Sequence, residues 1–571
     1  MKNLLTIILI TSGMLLLSNC GDTKMENIAD LILRNGNIAA LDAQNTTAQS
    51  IVVKDGKILF VGSNEEADKY VGSSTKMIDL DGNFVMPGFI ESHAHFLGIG
   101  ESLINLDLRS AKNWNEVVGI VAKAVKNNKP GGWIIGRGWH QEKFNPSPNP
   151  NVNGYPIHVE LSKVSPENPV MLSHASGHAV FANAKAMQLA GVGKSTKNPE
   201  GGTVLRDKHG NAIGVFEENG EYLIRKVYDE YLAKRTPLEI EEHYKKIAKL
   251  AAEECLKKGI TSCSDAGQPL EVIDVYKKLA DEKLLPVRVN VMVQDNYEKM
   301  KEKLSHYKME GYANGFLTVR SIKQYIDGAL GSRGAWLLEP YSDLPNHYGS
   351  NVTPISELKK AAELAIVNGF QMRIHAIGDK GNREVLNIYQ EIFQKYPGQK
   401  NLRWAIEHAQ HLSEKDIPRF AKIGVIAAMQ SVHCTSDMGF VPERLGIKRA
   451  EEGAYVWKKL INSGAIISNG TDAPVEDVNP IECFYSAVTR KNSEGKTFYP
   501  EQKMTRLEAL KSYTANGAYA SFEENVKGTI EKGKYADIVV LSNDLLNCSD
   551  EEIKATKVLY TIVNGKIVFQ N

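Results

Sequence analysis

Two histidines, His93 and His95, stand one residue apart at the end of an apolar run. In an extended strand, side chains at positions i and i+2 point to the same face, so these two imidazoles can bind one metal ion together. Neutral imidazole is the commonest protein ligand for zinc and related divalent metals. His-x-His pairs are frequent, however, so the rest of the sequence decides whether this pair belongs to a metal centre.

Four further polar residues follow along the chain, each close to the end of a predicted strand. They are Lys323, His375, His408 and Asp472. Each alone fits an ordinary strand, core or turn residue. Residues that follow different strands of a β/α-barrel converge on one face, where barrel enzymes place their chemistry. As an ordered set, these residues therefore predict one site together with the histidine pair.

The elements that would position this site alternate between strands and helices. Strand-like runs lie at 319–326, 370–374, 402–406, 425–429 and 465–468, and helical patterns at 239–257, 356–368, 382–396 and 506–519. Such alternation predicts parallel β/α units. A (β/α)8 TIM barrel is favoured over an open sheet because no Gly-x-Gly-x-x-Gly motif follows an early strand. We place this barrel at residues 87–522, with an elaboration over its mouth at about 97–250.

The two chain ends carry matching hairpin patterns. Short β-branched runs with Asn-Gly or Asp-Gly turns occur at 31–36 and 51–62, and again at 536–541 and 558–569. Two unrelated hairpins would explain this pattern. The interpretation we favour is one composite β-sandwich domain, built from residues 28–86 and 523–571, with the catalytic domain between them.

Composition narrows the range of partners. The 571 residues include 68 Lys and Arg against 68 Asp and Glu, so the formal net charge is zero and offers no electrostatic footprint for nucleic acid. This length predicts a large domain with an accessory one. We expect a small-molecule substrate as the partner, and a homo-oligomer is left open.

The first 20 residues have the pattern of a signal peptide. Lys2 precedes an uncharged run over 4–17, which is shorter than the roughly 20 residues of a membrane-spanning helix. The run ends in a sequence that resembles a bacterial lipobox, with Cys20 as the lipidated residue, although Asn19 departs from the usual small residue. We expect an exported protein, lipid-anchored to a bacterial membrane and facing the periplasm or cell exterior. A secreted protein with an incidental cysteine is the alternative.

Seven motifs together resemble the amidohydrolase superfamily, close to its YtcJ-like group of metal-dependent hydrolases (amidohydrolase family 3). The motifs extend over essentially the whole mature chain: PGFIESHAHF at 87–96, GITSCSDAG at 259–267, KQYIDGALGSR at 323–333, RIHAIGD at 373–379, IEHAQH at 406–411, SNGTDAPV at 468–475 and ADIVVL at 536–541. The resemblance implies a distorted (β/α)8 barrel, the composite β-sandwich and hydrolysis at carbon–nitrogen bonds.

The resemblance also implies a role for each strand-end residue. His93 and His95 bind one metal ion, and His375 and His408 bind a second or complete the first. Lys323 matches a lysine that is carboxylated in two-metal members, since a carbamate offers two oxygens whereas an ammonium has no lone pair. One or two divalent ions, with zinc expected, would occupy the site.

Asp472 matches the general base of the family and a metal ligand. A divalent metal lowers the pKa of bound water toward neutrality, so that hydroxide is available at ordinary pH. Asp472 would take the proton of that water and return it to the departing nitrogen.

Other residues in the matching segments are candidates for the substrate site. They are Trp139, His140, His178, Asp327, Arg333 and His433. His178 or His433 is a candidate donor to the oxyanion, and Arg333 a partner for a substrate carboxylate or for Asp327. Asp265 could orient a ligand histidine from behind.

The function we predict is metal-dependent hydrolysis of non-peptide carbon–nitrogen bonds, such as amides. A deaminase or a cyclic-amide hydrolase of the same fold is one alternative, because only the pocket would distinguish it. A non-catalytic, surface-binding lipoprotein is another. The presence of Asp472 speaks against the latter, since binding alone needs no general base.

Overall fold

The computed structural model describes residues 28–174, 179–199 and 202–571. The expected signal peptide, including Cys20, and the candidate residue His178 lie outside the described residues. Within the described ranges, no helix is both long and apolar enough to cross a membrane.

The centre of the fold is a nearly closed barrel of eight parallel strands. In chain order these are β1 (Phe89–Ala94), β2 (Ile260–Gln268), β3 (Arg288–Val293), β4 (Leu317–Tyr325), β5 (Gln371–Ala376), β6 (Ala405–His408), β7 (Ile426–Met429) and β8 (Ile467–Asn469). Each strand pairs in parallel with the next one from β1 to β8. The mixed α/β class and the barrel predicted from the sequence are therefore confirmed.

The junction between β8 and β1 is held by loop contacts. The backbone N–H of Asp472 donates to the carbonyl of His93 at 2.8 Å. The fully buried Glu91 accepts hydrogen bonds from the backbone N–H groups of Thr471 at 2.8 Å and His93 at 3.2 Å. Burial raises the pKa of Glu91 to about 8, so this carboxyl carries a proton at neutral pH. The junction thus fixes Asp472 against the histidine pair.

Replacing Gly470 with alanine is expected to lower the free energy of unfolding by about 1–3 kcal/mol. A Cβ at Gly470 would lie 2.4 Å from Glu91 Oε1 and 2.7 Å from the backbone nitrogen of His93. Urea denaturation checks this, with Gly119→Ala as the control because a Cβ at that helical position meets no atom within 4 Å. Equal stability of the Gly470 variant and the wild type would contradict a tight junction.

Helices cover the outside of the barrel. Those that follow or precede its strands are Phe96–Ile104, Pro237–Lys257, Leu270–Asp281, Tyr297–Lys303, Ile355–Val367, Asp379–Lys395, Ile417–Ile423, Ser431–Asp437, Val441–Leu445, Ile447–Gly453, Trp457–Asn462, Pro480–Thr489, Arg506–Ser512 and Ala515–Ala520. The 237–257 helix shows why they form here. Thr236 and Glu239 make a capping box, Pro237 opens the first turn, and Gly259 follows the end with φ +79°.

The single helix predicted at 506–519 is two helices in the structure. Thr514 has φ −136° and ψ −94°, which is not helical, and its hydroxyl donates to the carbonyl of Leu510 at 2.8 Å. This local bond satisfies a carbonyl at the end of the first helix and allows the chain to turn. The second helix then packs Gly517 against Ile90 and Ser92 of β1.

Two further sheets contain the chain ends. One has four strands, in the order Lys57–Gly62, Ser50–Lys54, Leu31–Arg34 and Lys76–Asp79. The other has six, in the order Lys566–Gln570, Val558–Val563, Ile538–Leu541, Phe84–Pro87, Asn37–Ala39 and Thr47–Ala48. The antiparallel pairing of Ile538–Leu541 with Phe84–Pro87 joins the two ends of the chain directly.

The turn residues in these sheets behave in two ways. Asp55-Gly56 and Asn564-Gly565 have positive φ at both residues, as a two-residue hairpin turn requires. Asn35-Gly36 does not form a hairpin, because Leu31–Arg34 pairs within the four-stranded sheet and Asn37–Ala39 within the six-stranded one. This dipeptide instead carries the chain from one sheet to the other.

A separate sheet occupies the elaboration between β1 and β2. Its six strands run in the order Gly202–Arg206, Ala212–Glu218, Ala179–Ala182, Val170–His174, Ile134–Trp139 and Leu106–Asp107. The helices Trp114–Lys126 and Val159–Val164 contribute Val117, Val121 and Leu161 to its apolar core. This inserted sheet has its own core, distinct from that of the barrel.

Candidate metal centre

Asp472 is the centre of the polar cluster at the mouth of the barrel. Its Oδ1 lies 3.4 Å from His93 Nε2 and 3.3 Å from His95 Nε2, and its Oδ2 lies 3.9 Å from His433 Nε2. Burial opposes ionisation of Asp472, but the nearby imidazoles of His93 and His95 outweigh it and hold the pKa of Asp472 well below its usual range. The carboxylate is therefore ionised, as a ligand or a base must be.

The histidines predicted from the sequence are close to one another. The ring centroids of His93 and His408 are 4.8 Å apart, and those of His408 and His375 are 4.5 Å apart. Among the residues that the structure describes, two sets have their ligand atoms within 4.8 Å of one another, namely His93, His95 and Asp472, and His408, His433 and Asp472. Each set could hold a metal ion, and Asp472 belongs to both. His375 belongs to neither set, although it touches His408.

The donor atoms suit a metal ion chemically. The buried Nε2 atoms of His93 and His375 have no hydrogen-bond partner among the described residues, and buried polar atoms in native proteins are rarely left so. Burial lowers the pKa of His375 to about 3 and that of His408 well below its usual value. These imidazoles are consequently neutral, the form that binds metals.

Glu407 supports the first histidine from behind. Its carboxylate contacts His93 Nδ1 and Arg373 Nε, and all three side chains are buried. Burial alone would raise the pKa of Glu407, but the charges of Arg373 and His93 hold it at about 2. Sequence reasoning missed this residue. The only available indication was a glutamate directly before His408 on the same strand.

Lys323 lies inside the site with 1% exposure, and its Nζ is 4.5 Å from the centroid of the Tyr325 ring. Burial lowers the pKa of Lys323 to about 8. A sizeable fraction of the amine is therefore neutral near physiological pH, and only the neutral amine can react with carbon dioxide.

Two of the site residues have left-handed backbones. His408 has φ +74° and Asp472 has φ +60°. Such conformations cost about 1–3 kcal/mol at non-glycine residues and persist where the surroundings enforce them, often at functional sites. His408 is the last residue of β6, and Asp472 follows the end of β8 at Asn469.

Three of the candidate substrate residues make contacts within the protein. Trp139 is fully buried in the inserted sheet, and its Nε1 donates to the carbonyl of Leu172 at 2.9 Å. Arg333 pairs with Asp343 at 2.6 Å rather than with Asp327. The rings of His140 and His174 are tilted against each other, with centroids 4.6 Å apart.

Two carboxylates stand behind the cluster. Asp327 accepts the backbone N–H groups of Trp336, Ile377 and Gly378 and lies 3.6 Å from His375 Nε2. It anchors the loop after β4 to the end of β5. Asp265 contacts the hydroxyl of Tyr276 and the amide nitrogen of Gln268.

A cleft of about 640 Å³ opens beside Asp472. Residues 473–478, which follow Asp472, form one wall of it. Arg109, Arg137 and Gly138 of the inserted sheet region form part of another. Clefts between a barrel mouth and an inserted domain commonly bind small molecules, and this volume suits one.

Comparison with known proteins gives three further findings. A model of the amidohydrolase family matches residues 76–569. The putative amidohydrolase YtcJ of Bacillus subtilis (strain 168) is 30% identical over 553 residues, covering 94% of this chain and 99% of that protein. N-substituted formamide deformylase of Arthrobacter pascens is 26% identical over 561 residues, covering 96% and 99%.

A solved structure agrees with this match. The crystal structure of an uncharacterized metal-dependent hydrolase from Pyrococcus horikoshii OT3 superposes with a TM-score of 0.74 at 27% identity. The superposition covers 91% of this chain and 99% of that one. The similarity therefore extends over the barrel, the end sheets and the inserted sheet alike.

Proposed function

Since this chain belongs to the amidohydrolase family, we propose that it is a metal-dependent hydrolase of carbon–nitrogen bonds other than peptide bonds, such as amides. The observation that carries this proposal is the ionised Asp472, with His93 Nε2 and His95 Nε2 within 3.4 Å of its Oδ1. The similarity to N-substituted formamide deformylase supports N-formyl amines as the first substrates to test.

The residues of the cluster have separate roles in the proposed reaction. His93, His95, His408 and Asp472, with His375 and Lys323 beside them, would hold the metal, for which we propose zinc. When bound, the metal supplies a hydroxide from water at neutral pH and polarises the substrate carbonyl. Asp472 accepts the proton of the attacking water and passes it to the departing nitrogen. Glu407 keeps His93 turned toward the site.

Metal analysis combined with a substrate screen tests the proposal. The purified protein should contain a transition metal, and chelation should abolish hydrolysis while zinc restores it. The screen comprises N-formyl and N-acyl amines, cyclic ureides and amino-purines, so that amidase, cyclic-amide hydrolase and deaminase activities are told apart. A metal-loaded protein that hydrolyses none of them would contradict the proposal and favour a binding role.

We further propose that Lys323 is carboxylated and bridges two ions. Native mass spectrometry of the intact protein should show the added mass of one carbon dioxide, which Lys323→Ala should lack. Lys323→Ala should lower the bound zinc from two ions per chain to one, and a short carboxylic acid added in excess should partly restore the second. An unmodified lysine with a single metal in the wild type would contradict the two-metal arrangement.

Export with a lipid anchor on Cys20 remains a proposal that rests on the N-terminal sequence. Cys20→Ala should move the protein from the membrane fraction to the soluble exported fraction. A Cys548→Ala variant is the control, since Cys548 lies in the distant C-terminal region. Equal membrane retention of the Cys20 variant would contradict the lipid anchor.

We also infer that the four- and six-stranded end sheets form the composite β-sandwich expected from the sequence. In support, one apolar cluster contains Leu33 and Ile51 of the first sheet and Val85, Ile538 and Ile562 of the second. These residues are almost completely buried.

A further inference from the structure

The histidines of the metal centre differ in what lies behind them. A neutral imidazole carries its proton on one ring nitrogen, and the partner of the opposite nitrogen decides which one. A carboxylate or amide oxygen accepts a hydrogen bond, whereas an amide nitrogen can only donate one. The partners on the protein side therefore fix which histidines offer a lone pair to the site and which offer an N–H.

Two histidines face acceptors. His93 Nδ1 contacts the carboxylate of Glu407, and His408 Nδ1 lies 2.7 Å from Oε1 of Gln430. The orientation of the Gln430 amide is set by a second bond, from its Nε2 to the carbonyl of Ala428 at 3.2 Å. Nδ1 of each histidine therefore carries a proton, so Nε2 is the nitrogen that is left to bind a metal ion.

His433 faces a donor. Nε2 of Gln410 lies 3.0 Å from His433 Nδ1, so this nitrogen accepts and the proton resides on His433 Nε2. His433 Nε2 is buried and has no hydrogen-bond partner in the described part of the chain. At 3.9 Å from Asp472 Oδ2, it lies beside the site without being bound to the carboxylate.

We propose that His433 is an N–H donor to the substrate oxyanion rather than a metal ligand, and that Gln410 sets this polarity. The proposal rests on the proposed hydrolytic function. When water attacks an amide carbonyl, its oxygen becomes negatively charged, and an N–H aimed at that oxygen stabilises the transition state more than the ground state. A donor to the oxyanion must lie close to the metal ligands, as His433 Nε2 does. His433 Nε2 carries a proton, however, whereas a metal ligand offers a lone pair.

The tautomers can be measured directly on the metal-free full chain. Protein labelled with ¹⁵N-histidine gives two-bond correlations that distinguish the two neutral forms, and His433→Asn identifies the signal of His433. We expect the proton on Nε2 for His433 and on Nδ1 for His408. A proton on Nδ1 of His433 would overturn the proposal, whatever the enzyme hydrolyses.

One chemical change at two glutamines gives a matched comparison. In Gln410→Glu the new carboxylate accepts, so the proton of His433 should move to Nδ1. In Gln430→Glu the acceptor is retained, so His408 should keep its proton on Nδ1. An unchanged tautomer in the Gln410 variant, or a reversed one in the Gln430 variant, would contradict the assignment.

Measurement of zinc affinity distinguishes an N–H donor from a metal ligand at position 433. His433→Ala and Gln410→Glu should lower kcat by about 10²- to 10³-fold, as the loss of an oxyanion donor does. The affinity for zinc, measured by competition with a chelating dye, should stay within about threefold of the wild type in His433→Asn. A loss of zinc affinity of tenfold or more in that variant would identify His433 as a ligand. Absence of wild-type activity would refute the proposed function, while the tautomer result would stand separately.

Discussion

Replacing Asp472 with asparagine is expected to lower kcat by about 10³-fold, within the range that a general base contributes. Asparagine keeps the shape of the side chain and one oxygen, but it cannot accept the proton of the attacking water. His93, His95 and His408 remain in place, so we expect the variant to retain metal with reduced affinity. Steady-state kinetics on the best substrate of the screen, together with metal analysis of the same sample, measure both effects.

The control for this change is Asp274→Asn. Asp274 is exposed on the outer helix Leu270–Asp281 and accepts a hydrogen bond from the Tyr307 hydroxyl, which an asparagine oxygen also accepts. The kcat of Asp274→Asn should equal that of the wild type. If the Asp472 variant retained both metal and full activity, the assignment of Asp472 as the general base would be refuted.

Glu407→Gln is expected to weaken zinc binding by about 10- to 100-fold, because the residue behind a ligand histidine fixes its orientation and basicity. It should also lower the free energy of unfolding by about 3–5 kcal/mol, since the charge of Arg373 would be left buried without its partner. The depressed pKa of Glu407 points the same way. A shift from 4.5 to about 2 corresponds to about 3 kcal/mol in favour of the folded state.

The pH dependence follows from the direction of that shift. The stability contributed by Glu407 is fully present above about pH 4.5 and is lost as the pH falls through about 2. Urea denaturation at pH 7, with calorimetric zinc titration, compares the variant with Glu524→Gln. Glu524 pairs with Arg403 at 2.7 Å at a more exposed place, where removal should cost at most about 1 kcal/mol. Equal losses in both variants would contradict a special role for Glu407.

The barrel and the polar residues at its strand ends were predictable because both are encoded in short, local sequence patterns. Each of His93, His375 and His408 lies at the end of an apolar run, and parallel strands bring such ends to the same edge. Helix bounds were close for the same reason, since the 239–257 pattern differs by two residues from the observed start at Pro237. The local periodicity of the sequence was thus sufficient to predict the barrel.

The supporting contacts were not predictable in this way. Glu407 and His93 are 314 residues apart in sequence, and nothing local identifies one as the partner of the other. The roles of Gln430 and Gln410 likewise depend on which histidine ring nitrogen each one contacts, and the sequence does not show this. Trp139 suited either a pocket or an apolar core, and the sequence pattern did not reveal the second apolar core that encloses it.

The pairing of Phe84–Pro87 with Ile538–Leu541 has a consequence for synthesis of the chain. A ribosome completes the first of these strands long before the second exists, so the N-terminal strands wait with an unpaired edge through most of translation. Contacts between distant segments form slowly, and exposed edges invite aggregation meanwhile. Loss of the last strands should therefore yield an insoluble product rather than a smaller folded enzyme, because the earliest part of the polypeptide depends on the latest.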